Sequence, residues 1–323
     1  MISLEVSLTP DSEWNNRLLQ SPTGTIYQTK ELALYYEELV SWDHKYIKFI
    51  NQKNEIVGQI MLLFYPRFSK KGRVGNILKR IPKSKSIICK WHYGPVIFNL
   101  DFMIEIRKEF AQFLQKNNYK VIGSEHPLSN GIFFDVGKPF KLSNWGTFLI
   151  DLSQSKEDLW QKLNKHSARK NVERSLKKDV YIKELNNSNI RTFYELIKNT
   201  KAKLGINIDF RDPLTLYEKT HKIGFTGFIA YHNEIPLGSI GVSYFNSYIN
   251  EWGVGRSDID SQEKFYAQDL LKWKIIEWGK NHGHKYYDLT GVNPNSKGEK
   301  EMGIFRYKKK WGGKLFIYNN IKL

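Results

Sequence analysis

Hydrophobic and polar residues alternate along two segments of the chain that resemble each other. Residues 46–65 predict two antiparallel strands around a polar turn, and residues 225–245 predict the same hairpin. Both turns continue Asn-Glu-Ile, and the strand after each turn carries a glycine, Gly58 or Gly238. The pattern therefore indicates an internal repeat.

Each predicted hairpin is followed by an amphipathic helix and a further strand. Apolar residues recur at the same spacings on one face of each helix: Phe102, Ile106, Phe110 and Phe113 in the first half, and Ala267, Leu271, Ile275 and Trp278 in the second. The shared order of hairpin, helix and strand predicts two duplicated α/β units.

This order of elements is similar to that of the acetyltransferase-like (GNAT) fold, in which the sheet splays open and a substrate enters at the splay. We predict a mixed α/β protein of two tandem GNAT-like units with a cleft between them. The first unit is expected to cover residues 1–147, with a basic insertion at 67–86, and residues 314–323 are candidates to complete it. The second unit is expected to cover residues 148–313.

Two segments are strongly basic. Residues 162–179 predict an amphipathic helix with Leu163, Val172 and Leu176 facing inward and the cations facing outward. The insertion at 67–86 contains eight Lys or Arg residues and no acidic residue. Either this insertion binds nucleic acid or an anionic membrane surface, or it is a solvated loop.

The charge of the whole chain favours phosphate-bearing partners. Its 323 residues include 50 Lys and Arg against 33 Asp and Glu, which gives a formal charge of +17. Such a surplus attracts polyanions, and the less favoured alternative is a merely basic, soluble protein. The single cysteine, Cys89, excludes an internal disulfide, and the histidines lack metal-ligand spacing, so no metal site is predicted.

The hydropathy of the chain bears on its location. No apolar run is long enough to span a membrane, and the first residues carry no secretion signal. A cytoplasmic location is therefore expected, with peripheral contact at the inner membrane face as an open alternative.

Four motifs carry a resemblance to a known family. They are YYDLTGV at 286–292, GIFRYKKKWGG at 303–313, YGPVIFNLD at 93–101 and the basic segment at 162–179. These motifs resemble those of the Fem-type (FemABX) aminoacyltransferases, which build the peptide cross-bridge of bacterial peptidoglycan. The chain is similar to the compact members of that family, which lack a coiled-coil arm.

The resemblance implies an enzyme and its substrates. A Fem-type acyltransferase moves an amino acid from aminoacyl-tRNA to an amine of a peptidoglycan precursor, which is nucleotide-linked or lipid-linked. No cofactor is expected, because aminoacyl-tRNA is the donor substrate. No Ser-His-Asp or Cys-His set has convincing local context, so we expect a mechanism without a covalent acyl-enzyme.

The resemblance also implies the residues of the reaction centre. Lys308 is expected there beside Tyr307, where a partly shielded ammonium stabilises an oxyanion, although a solvated lysine run remains the alternative. Asp288 is expected either to orient the amine or Lys308, or to cap the next turn. Lys309 and Lys310 are expected to be solvated or to face tRNA.

The segment that joins the two C-terminal motifs is expected to be a mobile loop. Gly303 and Gly312 are expected to punctuate the backbone around a catalytic corner.

Substrate contacts are assigned by the same resemblance. Arg211 is expected to bind precursor phosphate, with Tyr217 as the nearest companion tyrosine, or else to pair with a neighbouring aspartate at the surface. The full substrate-binding set is Arg211, Tyr217, Tyr307, Asp101 and Trp252. Contacts with tRNA or other anions are expected from Lys70, Lys71, Arg73, Lys79, Arg80, Arg169 and Lys170.

The chain departs from the family pattern at two motifs. Leu32 and Leu34 stand where compact members have Trp-x-Lys, and Phe98 stands where they have an acid. Asp101 follows Phe98 three residues later. These departures bear on the identity of the acceptor and leave the expected fold unchanged.

The donor is the point on which the competing functions differ. Residues 253–262 lack the glycine-rich loop by which ordinary GNAT enzymes hold the pyrophosphate of coenzyme A at a helix amino end. This favours tRNA as donor over the alternative, an acyl-CoA-dependent N-acyltransferase acting on an amino sugar of a surface polysaccharide. A third hypothesis is a tRNA- or membrane-binding protein without activity.

Overall fold

The computed structural model describes residues 2–66, 87–117, 119–129, 141–206, 208, 211–222 and 224–322. The chain forms two compact units, Met1–Trp145 with Ile317–Leu323, and Gly146–Phe316. From the sequence the units are expected at 1–147 and 148–313, with 314–323 returning to the first. The basic insertion at 67–86 lies outside the described residues.

The first unit is built on a mixed sheet. Its strands lie in the order β1-β2-β3-β4-β6-β13, and a short β5 pairs with β3. The strands are β1 (Ser3–Ser7), β2 (Asp43–Ile50), β3 (Ile56–Pro66), β4 (Ile87–Lys90), β5 (Val96–Ile97), β6 (Lys120–Ser124) and β13 (Lys314–Lys322). The helices are α1 (Trp14–Leu19), α2 (Lys30–Val40) and α3 (Met103–Lys116), with 3-10 turns at Ile26–Gln28 and Leu100–Phe102.

The second unit repeats this plan. Its strands lie in the order β7-β12-β11-β10-β9-β8. The strands are β7 (Lys141–Asp151), β8 (Tyr181–Glu184), β9 (Phe225–His232), β10 (Ile235–Phe245), β11 (Tyr248–Arg256) and β12 (Tyr286–Val292). The α-helices are α4 (Lys156–Lys162), α5 (Lys170–Lys177), α6 (Ile190–Ala202), α7 (Arg211–Thr220), α8 (Asp258–Gln262), α9 (Ala267–Asn281) and α10 (Glu299–Lys309), and a π-helical turn covers Lys165–Arg169.

The predicted repeat is confirmed in both units. Strands β2 and β3 pair antiparallel, as do β9 and β10. Helix α3 buries Ile106 and Phe110, and α9 buries Leu271 and Ile275 at the corresponding spacing. The ends of the predicted helix faces are less buried than the periodicity predicts. The side chains there are only partly buried against the cores, namely Phe102, Phe113 and Trp278.

The basic segment at 162–179 is not the single helix that the sequence predicts. A π-helical turn at Lys165–Arg169 separates α4 from α5. Leu163 and Val172 are buried as expected, but Leu176 is 51% exposed. Within α5 the buried residues are Val172 and Ser175. The inward face therefore continues at the position three residues after Val172, and Leu176, four residues after it, faces solvent.

The two sheets open differently at their parallel strand pairs. In the second unit the pairing of β11 with β12 ends at Asn250 and Asp288. In the first unit Trp91, which is 1% exposed, follows the equivalent pair of β4 and β6. A Cβ atom at Gly123 would lie only 2.1 Å from the Trp91 ring. Beyond the first pair, Trp91 therefore packs against Gly123 and against Phe110 in the core. Beyond the second pair lies a cavity.

Candidate active site

A cavity of about 660 Å³ opens in the second unit where β11 and β12 stop pairing. Residues of α6, β11, β12 and α10 line it, among them Glu251, Arg256, Thr290, Tyr307 and Lys308. Its volume is that of a small-molecule ligand site.

Helix α10 presents Lys308 to this cavity from its last turn. The Lys308 ammonium donates to the carbonyl oxygen of Gly291 at 3.0 Å and to the carbonyl and hydroxyl oxygens of Thr290, both at 3.3 Å. Burial lowers the pKa of Lys308 to about 8, an effect that the Glu251 carboxylate opposes and the Lys272 ammonium reinforces. Lys308 is therefore half-buried and can gain or lose a proton near neutral pH.

Thr290 is held in an unusual backbone conformation by Asp288. Its φ angle is +63°, in the left-handed region that β-branched residues rarely adopt. The Thr290 N–H donates to Asp288 Oδ1 at 2.7 Å, and the Thr147 hydroxyl contacts the same carboxylate. Tyr248 Oη donates to Asp288 Oδ2 at 2.9 Å. Asp288 thereby fixes the acceptors that hold Lys308.

Asp288 is fully buried, at 0% exposure. It therefore does not reach the cavity, and its predicted role of orienting a substrate amine is not supported by this geometry. We assign it as a positioning residue that acts on Lys308 through Thr290.

A buried ion pair forms the wall next to Lys308. Lys272, only 2% exposed at its side chain, pairs with Glu251, and Tyr287 Oη donates to Glu251 Oε2 at 3.0 Å. Tyr307 lies close to both groups, with the Lys272 ammonium 5.8 Å from its ring centroid. Burial raises the pKa of Tyr307 well above its ordinary value, and the nearby carboxylates add to this, so its hydroxyl stays protonated.

The other two lysines of the C-terminal motif have different environments. Lys309 is exposed, as expected. Lys310 is not solvated: it pairs with Asp269, their side chains being 12% and 9% exposed, and its ammonium lies 4.4 Å from the Tyr307 ring centroid. The prediction for Lys310 was wrong because its partner lies 41 positions away in the sequence, on α9.

The expected mobile loop is helical over its C-terminal part. Helix α10 begins at Glu299, with acidic residues in its first turn and basic residues in its last, the arrangement that the helix dipole favours. Gly303 lies within this helix. Gly312 does punctuate the backbone: its φ is +76°, and a Cβ there would lie 2.7 Å from the Cβ atom of Lys162.

Four of the predicted substrate-binding residues lie on elements of both units. Trp252 is half-buried in β11, and Tyr217 lies in α7, where it stacks on His221 with 4.9 Å between ring centroids. Arg211 begins α7, and its side chain lies outside the described part of the structure. Asp101 is exposed in the first unit, in the 3-10 turn Leu100–Phe102.

The predicted anion contacts are only partly described. Lys70, Lys71, Arg73, Lys79 and Arg80 fall in the insertion outside the described residues. Lys170 is exposed, whereas Arg169 is half-buried and donates to Gln161 Oε1 at 2.7 Å. Arg169 is therefore already engaged within its own unit.

Sequence reasoning missed Glu251 and Lys272. They lie 21 positions apart, on β11 and α9, and nothing local marks them as a pair. The one available signal is Lys272 itself, a charged residue next to Leu271 on the inward face of an amphipathic helix.

The amino end of α9 has the position in the fold where a GNAT enzyme would hold a pyrophosphate. Here the Ala267 N–H donates to Asp260 Oδ1 at 2.8 Å. The Asp269 and Leu270 amides donate to the carbonyl oxygen of Tyr266, the residue that precedes the helix, as amides in the first turn of a helix ordinarily do. A carboxylate at this point disfavours a bound phosphate.

We expect the buried Lys308 to make stability depend on pH. Its folded pKa of about 8 lies below the ordinary value of 10.5, so from pH 8 upward the unfolded chain binds more protons and this group stabilises the fold increasingly. Between pH 8 and pH 10 the wild type should gain about 2 kcal/mol over Lys308→Met.

Urea denaturation of both proteins at several pH values measures this gain, and other titrating groups cancel in the difference. A constant difference across this range would contradict the assigned environment of Lys308.

No protein-family model and no curated protein matches the sequence. Among solved structures, the chain is similar to FemX, with a TM-score of 0.71 and 15% identity over 98% of this chain and 96% of FemX. It is also similar to L-PGS from Bacillus licheniformis (TM-score 0.59, 13% identity, 98% and 93% covered). A tandem GNAT protein from the clavulanic acid biosynthesis pathway gives a TM-score of 0.54 at 10% identity, with 100% and 98% covered.

These similarities establish the class of fold. The chain is a tandem GNAT-fold protein, which confirms the predicted fold class. The resemblance to Fem-type proteins is confirmed at the level of the fold, since FemX shares it over nearly the whole of both chains.

Proposed function

We propose that the protein is a Fem-type aminoacyltransferase, which moves an amino acid from aminoacyl-tRNA to an amine of a peptidoglycan precursor in interpeptide bridge formation. The observation that carries the proposal is the open splay of the second unit, where the half-buried Lys308 of the C-terminal motif is held on the backbone carbonyls of β12. The fold shared with FemX and the charge of +17, which suits two polyanionic substrates, support it.

The proposed reaction is a direct aminolysis. The nitrogen of a neutral amine attacks the ester carbonyl carbon, the new C–N bond forms, and the bond to the ribose oxygen breaks. The amine loses one proton, and the leaving ribose oxygen takes one up. An oxyanion develops on the carbonyl oxygen between these steps, and Lys308 as an ammonium stabilises it.

Lys308 suits this role because it is shielded from water. A cation in a half-buried site interacts more strongly with a developing charge than one in bulk solvent. The buried ion pair of Lys272 with Glu251 and the fixed Thr290 keep the lysine in one place before substrate arrives.

The donor assignment follows from the amino end of α9. The Asp260 carboxylate accepts from the Ala267 amide at this helix end, where its charge disfavours a pyrophosphate. We therefore favour aminoacyl-tRNA as the donor, with no cofactor, over an acyl-CoA. A cytoplasmic location, with contact at the inner membrane face when the precursor is lipid-linked, belongs to the same proposal. None of the helices in the described ranges is long and apolar enough to cross a membrane.

The test is transfer of label between the proposed substrates. Total bacterial tRNA charged with radiolabelled amino acids is incubated with the protein and with either a nucleotide-linked or a lipid-linked pentapeptide precursor. We expect label in the precursor, and mass spectrometry of the product identifies the amino acid and its position.

Calorimetry with acetyl-CoA supplies the opposing arm of this test, and we expect no heat of binding. Binding of acetyl-CoA together with no transfer from any charged tRNA would overturn the proposal in favour of an acyl-CoA-dependent enzyme.

A further inference from the structure

Glu251 has a distinctive position in the cavity of the second unit. Among the described residues it is the one acidic side chain that lines this cavity. The cations that share the lining are Lys201, Arg256, Lys300 and Lys308. A ligand that fits this lining needs negative charge toward the cations and a positively charged group toward Glu251.

The depth of these side chains in the cavity determines where the anionic and cationic parts of the ligand lie. Arg256 and Lys300 are exposed, so they stand where the cavity meets solvent. The Glu251 side chain is only 12% exposed, and it lies beside Lys308, whose pKa its carboxylate raises. The ligand's anionic part is therefore outermost, and its cationic part lies inside, next to the lysine.

The Glu251 carboxylate is fixed in place but can accept further hydrogen bonds. Its Oε2 atom contacts Lys272 and accepts from Tyr287 Oη at 3.0 Å. Within the described residues no donor is recorded for Oε1, and a carboxylate oxygen can accept two hydrogen bonds. Glu251 is thus held rigidly by one oxygen and can receive an ammonium on the other.

From these observations we propose that Glu251 Oε1 binds the α-ammonium group of the transferred aminoacyl residue. The inference rests on the proposed function, because it assumes an aminoacyl donor. The α-nitrogen of an aminoacyl ester is attached to the carbon next to the reacting carbonyl. Two neighbouring side chains of the cavity would then contact neighbouring groups of the aminoacyl ester. Lys308 would contact its carbonyl oxygen and Glu251 its α-nitrogen.

This arrangement makes Glu251 a specificity residue. An acyl group without a free amine covers Glu251 Oε1 without giving it a hydrogen-bond donor, and such a mismatch costs more than a missing methylene group. The donor site therefore selects aminoacyl groups over acetylated or deaminated ones, whichever side chain they carry.

The test uses stable mimics of the aminoacyl end of tRNA. These are the 5′-phosphates of 3′-glycylamido- and 3′-alanylamido-3′-deoxyadenosine, whose small side chains suit any aminoacyl site, and their N-acetyl derivatives. Calorimetry gives the Kd ratio of acetylated to free-amine mimic. We expect a ratio of about 10 to 100 for the wild type and a ratio near 1 for Glu251→Gln.

Two further variants separate recognition from folding. Glu277→Gln alters an acid of the same unit that pairs with Lys156 and Lys274, and it should keep the wild-type ratio. The double variant Glu251→Gln with Lys272→Met leaves no unpaired ammonium, so it serves if the single variant is unstable. Circular dichroism checks each fold.

The outcomes distinguish this inference from the proposed function. Equal binding of both mimics to the wild type, or a wild-type ratio in the Glu251 variants, overturns the role of Glu251 and leaves an aminoacyltransferase standing. If no mimic binds, while the protein is folded, both the Glu251 assignment and the donor half of the proposed function fall.

Discussion

Replacing Lys308 by alanine should lower kcat for aminoacyl transfer by about 10²- to 10³-fold. The ammonium contacts the carbonyls of Thr290 and Gly291 in the free protein, and it is the half-buried cation to which the proposed function assigns the oxyanion. Its removal takes away an interaction that is strongest in the transition state, so kcat should fall more than KM rises. Single-turnover transfer from charged tRNA measures the effect.

Lys309→Ala is the matched control, because Lys309 neighbours Lys308 in the sequence but is exposed. It should change kcat by less than about threefold, since exposed charges interact weakly. A Lys308→Ala enzyme that keeps its activity, or an equal loss in both variants, would refute the assigned role.

The pH profile gives a second readout of the same lysine. Only the ammonium form carries the positive charge that stabilises an oxyanion, so wild-type kcat should fall as pH rises through the Lys308 pKa of about 8. Arginine stays protonated above pH 12, and Lys308→Arg should therefore lose this descending limb even where its absolute rate is lower. Persistence of the limb would assign it to another group.

The periodicity of apolar residues predicted most of the fold, because it follows directly from which side chains are buried. Apolar segments flank a polar turn in the hairpin at 46–65, and apolar residues recur every three or four residues on the buried faces of α3 and α9. The same reasoning failed at Leu176, since Ser175 takes the inward position of α5, and at the ends of the faces, where Trp278 is half-buried. A period of 3.6 does not decide between two neighbouring positions at the edge of a helix face.

The loop predicted before the C-terminal motif illustrates a different limit. Glycines at 298 and 303 suggest a break, yet α10 runs from Glu299 to Lys309 with charges that suit both of its ends. The charge pattern was the better signal there, because a single glycine inside a helix costs only about 1 kcal/mol.

The site was predictable only through its motifs. Lys308 came from the resemblance, whereas Glu251 and Lys272 became visible only when β11 and α9 were brought together. Charge pairs between distant elements leave no local trace in one sequence. The same holds for Lys310, which belongs to a buried pair with Asp269.

Asp288→Ala should destabilise the second unit by about 3–5 kcal/mol. The Asp288 carboxylate is fully buried and accepts from the Thr290 N–H and Tyr248 Oη, with Thr147 and Asn250 as further donors. Alanine would leave these buried donors without an acceptor. Urea denaturation at pH 7 measures the loss, which is a large part of the stability of a typical domain.

Asp258→Ala provides the comparison within the same unit. Asp258 pairs with Lys203, but its side chain is 70% exposed, so its removal should change stability by less than about 1 kcal/mol. Similar losses in the two variants would contradict the structural role of Asp288.

Asp288→Asn separates positioning from stability. The amide keeps the shape of the carboxylate, but it has one accepting oxygen where the carboxylate has two. The Thr290 N–H and Tyr248 Oη bind different oxygens of Asp288, so one of these two donors loses its acceptor. We expect a folded protein in which Thr290 relaxes from its φ of +63° and Lys308 loses its fixed acceptors. Transfer should then slow while the Kd of the donor mimics stays within about threefold of wild type, since Asp288 does not line the cavity. A variant that loses mimic binding in step with transfer would instead place Asp288 at the ligand.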